Sequence, residues 1–128
     1  MRCIIDAANA HKILDLSFMT LVHCTHTADE DGLEYLRKGG MVCVCPLTEG
    51  SLADGIPTVE YQAAAGQVVV GSDSNLRIDF LEELRWLEYG QRLRTTKRGH
   101  YSVDDLMKVG GVNGAKSLGL VGKVGEFK

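Results

Sequence analysis

No stretch of this 128-residue chain approaches the ~18 consecutive apolar residues that a bilayer-crossing helix needs, so no membrane span is predicted. A secretory leader is not expected either, because Met1, Arg2, Cys3, Ile4, Ile5 and Asp6 bring in charge before an apolar region can build. Positive charge is short: 14 Lys and Arg stand against 17 Asp and Glu, for a net charge of −3 and a pI near 5.8. No basic field therefore invites nucleic acid. The local run from Arg92 to Arg98 sits where a helix ends, and cations there complement the helix dipole. Only four cysteines occur, Cys3, Cys24, Cys43 and Cys45, three of them in or beside strongly apolar runs. That suits reduced, buried thiols in a cytoplasmic protein better than a disulfide framework. No internal repeat longer than one strand–helix unit is present. The length allows one domain at most, and 45% apolar with 24% charged residues is ordinary for a folded chain that can bury a core.

The elements that remain alternate. Residues 4–16 read as a short helix, and the compact apolar run 18–22 as a buried strand ending at His23 and His26. Thr27 and Glu30 have the spacing of a capping box, opening a helix through Leu33 and Leu36 that stops at Gly39 and Gly40. Met41 to Cys45 is the next strand, closed by Pro46, which has no N–H for a ladder. Thr48 to Gly55 reads as a polar loop, and Pro57 opens a helix closed by Gly66. A strand over 67–71 follows. The helix over 79–93 is the clearest in the chain, with Asp79 and Glu82 as its cap pair and Phe80, Leu84 and Leu87 as its apolar stripe. Residues 95–101 form a charged connector, Ser102 starts a last helix interrupted at Gly110, Gly111 and Gly114, and the glycine-rich tail from Gly119 is expected to be loose. Continuous rather than alternating apolar strands, joined by helices, predict an α/β fold with a parallel sheet covered on both faces.

In such folds chemistry sits at the C-terminal strand edge. Two of these edges carry reactive types: His23 after the first strand and Asp73 after the third, both predicted to face one pocket. The plainer readings are a satisfied histidine at a strand end and a turn or capping aspartate. His26 reads as a solvated neighbour, His100 as a surface loop residue, and Cys43 with Cys45 as buried thiols, since structural zinc usually wants two or more intervening residues. Glu49 and Asp54 either line the pocket or belong to a solvated loop. Ser74 and Asn75 either contact substrate or brace the turn around Asp73. Gly90 inside a helix points to tight packing.

Four blocks carry a resemblance: Leu21 to Thr27, Cys45 to Ile56, Val70 to Asn75, and Glu82 to Leu93. In letters and in spacing they resemble the metal-dependent amidohydrolase superfamily, and within it the formimidoylglutamate deiminase family. The resemblance runs from about Leu21 to Gly125, whereas residues 1–20 match poorly. It implies a (β/α)8 TIM barrel, with this chain of 128 residues supplying about its last three βα units as a C-terminal fragment. It implies one zinc ion, for which Asp73 would be a ligand and proton shuttle, with His23 as the sixth-strand histidine that polarises or positions substrate. Glu49, Ser74 and Asn75 are the candidate substrate-binding residues.

The family's His-x-His pair, fifth-strand histidine and acid/base glutamate have no counterpart here, because the only histidines are His11, His23, His26 and His100. The isolated chain is therefore expected to be inactive, and it is expected to be poorly soluble because its first and last strands expose unpaired edges and apolar faces. The function implied is hydrolytic deimination, formimidoylglutamate plus water giving formylglutamate and ammonia. The alternatives are another deaminase acting on a purine or triazine ring, or a non-catalytic remnant that persists as a partner-binding half-barrel. The expected partners are a small-molecule substrate and an N-terminal half-barrel or a second copy, with neither nucleic acid nor membrane.

Overall fold

A computed structural model describes residues 1–11, 14–58 and 65–126. The chain runs α1 (Arg2–His11), a 3-10 turn (Leu16–Phe18), β1 (Thr20–Val22), α2 (Asp29–Arg37), β2 (Met41–Val44), α3 (Pro46–Ser51), β3 (Val68–Val70), α4 (Phe80–Thr95), α5 (Val103–Gly110) and α6 (Val112–Ser117). The three strands form one parallel sheet in the order β1-β2-β3. Leu21 pairs with Val42 and Val42 with Val68, so every strand ends at the same edge.

Side-chain alternation puts Leu21, Val42, Val44, Val68 and Val70 on one face of this sheet. These residues pack with Ile5, Tyr35 and Leu36 from α1 and α2 and with Leu84 and Leu87 from α4. Burial raises the Tyr35 hydroxyl pKa to about 12, and the hydroxyl donates to Met19 O at 2.8 Å. The opposite face is only partly covered: Met41 and Val69 are buried, Cys43 is half-buried and Val22 is 52% exposed. The expectation of two covered faces thus holds for one.

Several local expectations are corrected. The first helix ends at His11, and the strand expected from Phe18 begins at Thr20 because Asp15 caps a 3-10 turn by accepting from Ser17 N. The N-cap of α2 is Ala28, with no side-chain cap bond, so Thr27 and Glu30 are not a capping box. Asp29, Glu30 and Asp31 in the first turn complement the dipole instead. Arg2 joins Asp31 and Glu34, which fastens α1 to α2. The loop expected over 48–55 is helical as far as Ser51, with Pro46 at its first position, where a missing N–H costs nothing. The helix expected from Pro57 falls largely on 59–64, outside the described residues.

The helix expected over 79–93 is present as α4, with Asp79 accepting from Glu82 N as predicted. Leu84 and Leu87 are buried, while Phe80 stays 46% exposed. Gly90 does pack tightly, since a Cβ there would lie 3.2 Å from Ile56 Cγ2. His100 is not a surface residue: it is buried, and its Nε2 meets Thr95 Oγ1 at 2.6 Å. The cause is Glu88, a buried carboxylate that accepts from Gly99 N, Tyr101 N and Arg92 Nε and folds the connector onto α4. Nor is the whole tail loose. Leu120 N donates to Ala115 O at 2.7 Å, and Gly125 lies against Gly111, where added Cβ atoms would collide with backbone.

Candidate active site

The site is built at the shared C-terminal edge. His23 N extends the ladder to Cys43 O at 2.8 Å, after which the chain turns sharply, with Cys24 N donating to Val22 O at 2.9 Å. His23 is the centre of this three-residue turn, at φ +66°. Asp73 sits after β3 at φ +48°, in a turn closed by Asn75 N donating to Ser72 O. A left-handed backbone at a non-glycine residue costs on the order of 1 kcal/mol, and such strain clusters at functional sites. Gly71 precedes the turn because the backbone there passes close to two thiols: a Cβ would lie 3.2 Å from Cys43 Sγ and 3.5 Å from Cys45 Sγ.

β2 separates β1 from β3, so the two strand ends stand roughly 10 Å apart at ~4.8 Å per strand. Their side chains nonetheless converge over the end of β2, and His23 Nε2 lies 3.8 Å from Asp73 Oδ2. The two residues singled out in the sequence are therefore neighbours. No hydrogen bond from the described residues engages the Asp73 carboxylate, which leaves it open toward the edge.

Glu49 is the residue whose setting the sequence did not reveal. It is 1% exposed and belongs to α3, not to a loop. Its Oε1 accepts from Cys45 N at 2.9 Å and lies 3.3 Å from His23 Nδ1, while Oε2 is buried without a partner. Burial pushes its pKa up against the lowering effect of those two bonds. Glu83 on α4 accepts from Leu47 N, so two carboxylates satisfy the first amides of α3, and burial raises the Glu83 pKa as well. Thr48 Oγ1 donates to Ser72 O at 2.9 Å, which ties α3 to the turn that carries Asp73.

The remaining candidates fall outside this knot. Asn75 Oδ1 accepts from Arg77 N and braces the turn, and Ser74 is exposed. His26 faces Asp54 at 3.6 Å in an exposed pair. Cys45 is buried and Cys43 half-buried. The bond between the two thiols raises the pKa of Cys45, further lifted by burial, and lowers that of Cys43.

The donor set can be tested against a metal. His23, Cys45 and Glu49 offer ligand atoms within 4.8 Å of one another. Glu49 Oε1, however, is already engaged by Cys45 N, and the trio does not include Asp73. Asp73 has the chemistry and the freedom of a metal ligand, and His23 Nε2 stands 3.8 Å from it, but no third donor joins the two among the described residues. The chain's own side chains fit one corner of a metal site and do not complete it.

Comparison with known proteins agrees with this geometry. The profile of the amidohydrolase family matches residues 3–128, so it takes in α1, in the stretch whose motifs match poorly. The chain is 43% identical to a formimidoylglutamate deiminase of Pseudomonas aeruginosa over 91 residues, 70% of this chain and 20% of that protein. It is 31% identical to a 5-methylthioadenosine/S-adenosylhomocysteine deaminase of Desulforamulus reducens, over 83% of this chain and 25% of that protein. The crystal structure of an amidohydrolase from Brucella melitensis superposes with a TM-score of 0.80 at 30% identity, covering 95% of this chain and 29% of that one. The chain thus spans a fifth to under a third of the length of these relatives. Among the described residues no helix is long and apolar enough to cross a membrane. With a parallel sheet, a His–Asp pair at its C-terminal edge and a family match over nearly its whole length, the chain belongs to the amidohydrolase family.

Proposed function

We propose that this chain contributes the last three βα units of a (β/α)8 barrel whose reaction is the hydrolytic deimination of formimidoylglutamate. The observation that carries the reading is the convergence of His23 Nε2 and Asp73 Oδ2 to 3.8 Å across an intervening strand. The similarity to the Pseudomonas aeruginosa deiminase supports the substrate. Asp73 would be one ligand of a divalent metal, zinc in this reading, whose other ligands come from strands outside this chain. When bound, such a metal supplies Lewis acidity and lowers the pKa of water.

The chain's own residues have separate tasks. Water adds to the amidine carbon as the C–O bond forms, and the Asp73 carboxylate takes its proton. The same carboxylate passes that proton to the amidine nitrogen and then carries over the proton of the new hydroxyl, so that the C=O forms as the C–N bond breaks and the nitrogen departs as ammonia. His23 positions the reacting group through Nε2, accepting from a hydrogen on the departing nitrogen, a hydrogen bond that strengthens as positive charge develops there. Ser74 and Asn75, on the Asp73 turn, border the substrate side.

A purine-ring deamination is the second reading, favoured by the match to the Desulforamulus reducens deaminase. The two separate by substrate. Co-expression with the preceding barrel half of the Pseudomonas aeruginosa enzyme, followed by ammonia assays, should give turnover of formimidoylglutamate and none of 5-methylthioadenosine. Turnover of the nucleoside alone would reverse the assignment.

A further inference from the structure

Glu49 is explained only in part as a helix cap. Capping Cys45 N requires one acceptor oxygen, which a neutral glutamine would provide with a smaller desolvation cost. A carboxylate that is 1% exposed and has one unpaired oxygen is costly to bury unless a cation or a strong donor compensates it. Among the described residues one group in reach can do so, the His23 imidazole, whose Nδ1 lies 3.3 Å from the same Oε1 that Cys45 N engages. The other tie on this carboxylate comes from an element that is itself held. The Cys45 amide belongs to the N-cap of α3, and α3 is anchored through Leu47 N to Glu83 and through Thr48 Oγ1 to Ser72 O. The His23 backbone is held by Cys43 O, but among the described residues its ring has no hydrogen bond besides the one to Glu49.

We infer that Glu49 is a positioning residue for His23. Its Oε1 accepts the Nδ1 proton, fixes the neutral ring as the Nδ1–H tautomer, and so turns an unprotonated Nε2 toward Asp73 and the reacting group. This departs from the expectation that Glu49 binds substrate, because its side chain is 1% exposed and Oε1 is already engaged by Cys45 N and His23. It rests on the proposed function only for what His23 does; the Glu49–His23 pair is a property of the chain alone. A carboxylate that fixes an imidazole in this way governs both ring orientation and basicity, as it does behind metal-bound histidines.

The test is the ring-nitrogen NMR spectrum of the uniformly 15N-labelled 128-residue chain at about pH 8, where an ordinary imidazole is neutral. His23 should show a protonated Nδ1 and an unprotonated Nε2. Glu49→Leu should move the proton to Nε2. Glu49→Gln, which keeps an acceptor for Cys45 N and so preserves the fold, should shift the balance in the same direction. An Nε2–H tautomer in the parent chain, or an unchanged His23 signal in a folded Glu49→Gln variant, would overturn the inference. The spectrum requires no turnover, so a deiminase reading that failed on substrate would leave this result intact, and the reverse also holds.

Discussion

Glu88 gives the sharpest energetic prediction. It lies 4% exposed on α4 and accepts from Tyr101 N at 2.9 Å, Gly99 N at 3.0 Å and Arg92 Nε at 2.7 Å. Truncation to alanine strands the Tyr101 amide in a buried position, worth about 1–3 kcal/mol. The Gly99 amide can reach water, and the Arg92 pair is half open to solvent, so together these add at most about 1 kcal/mol. Glu88→Ala should therefore destabilise by ~2–4 kcal/mol, a shift of about 1–2 M in urea midpoint for a slope near 2 kcal/mol per M. Trp86, the sole tryptophan and on the same helix as Glu88, reports unfolding by fluorescence at concentrations low enough to limit association through the open sheet edges.

The pH dependence supplies a second check. Burial alone would raise the Glu88 pKa, but the bonds from Tyr101 N, Arg92 and Gly99 N prevail and lower it below the ordinary 4.5. The folded state then binds fewer protons than the unfolded state in that window, so stability rises with pH. The contribution of Glu88 is complete above pH 4.5 and is lost as pH falls through the lower, folded-state value. The gap between parent and Glu88→Gln should close on acidification. Equal midpoints for parent and Glu88→Ala, or a gap that does not change with pH, would refute the account of the connector.

Other outcomes follow from single groups. Burial raises the Glu83 pKa, so its ionisation opposes folding as pH climbs past 4.5; Glu83→Gln should stabilise the chain at neutral pH and lose that advantage in acid, read by the same urea titrations. Gly90→Val places bulk against Ile56 and should cost about 1–3 kcal/mol, read by thermal melting, because the site is already at contact distance. At Asp73, glycine relieves a left-handed backbone by about 1 kcal/mol but also frees the unfolded chain, so Asp73→Gly should melt within about 1 kcal/mol of the parent, whereas Asp73→Val should melt lower. Iodoacetamide followed by mass spectrometry should modify Cys43 ahead of Cys45, since their shared bond lowers the pKa of the former and raises that of the latter.

Strand placement was legible because three uninterrupted apolar runs, each followed by punctuation, can hardly be anything but parallel strands. The His23 and Asp73 positions followed from the rule that chemistry gathers at such ends. Helix α3 was hidden because six residues, Pro46 to Ser51, show no apolar period, and its caps are Glu49 within it and Glu83, 36 residues from the Leu47 amide it accepts from. The setting of Glu49 was hidden for the same reason, since a polar residue in an apparent loop gives no sign that it will be buried against a histidine. Pro46 carries the missing signal, because proline just past a strand suits a helix start as well as a strand end. The Thr27 and Glu30 pattern misled because cap spacing is a local rule, and the turn through Cys24 and Thr27 moved the helix start by one residue. The burial of His100 depends on the long reach of Glu88, which no window of neighbouring residues displays.

The central claim is that Asp73, beside His23, is this chain's ligand in a metal-dependent hydrolytic site. Metal content tests it most directly, measured on the chain co-purified with the preceding barrel half of the Pseudomonas aeruginosa deiminase, with parent Asp73 and with Asp73→Asn. The account predicts one zinc per complex with the parent, a loss of most of that metal with Asp73→Asn, and none on the chain alone. Equal metal in both complexes, or stoichiometric metal on the chain by itself, would contradict it.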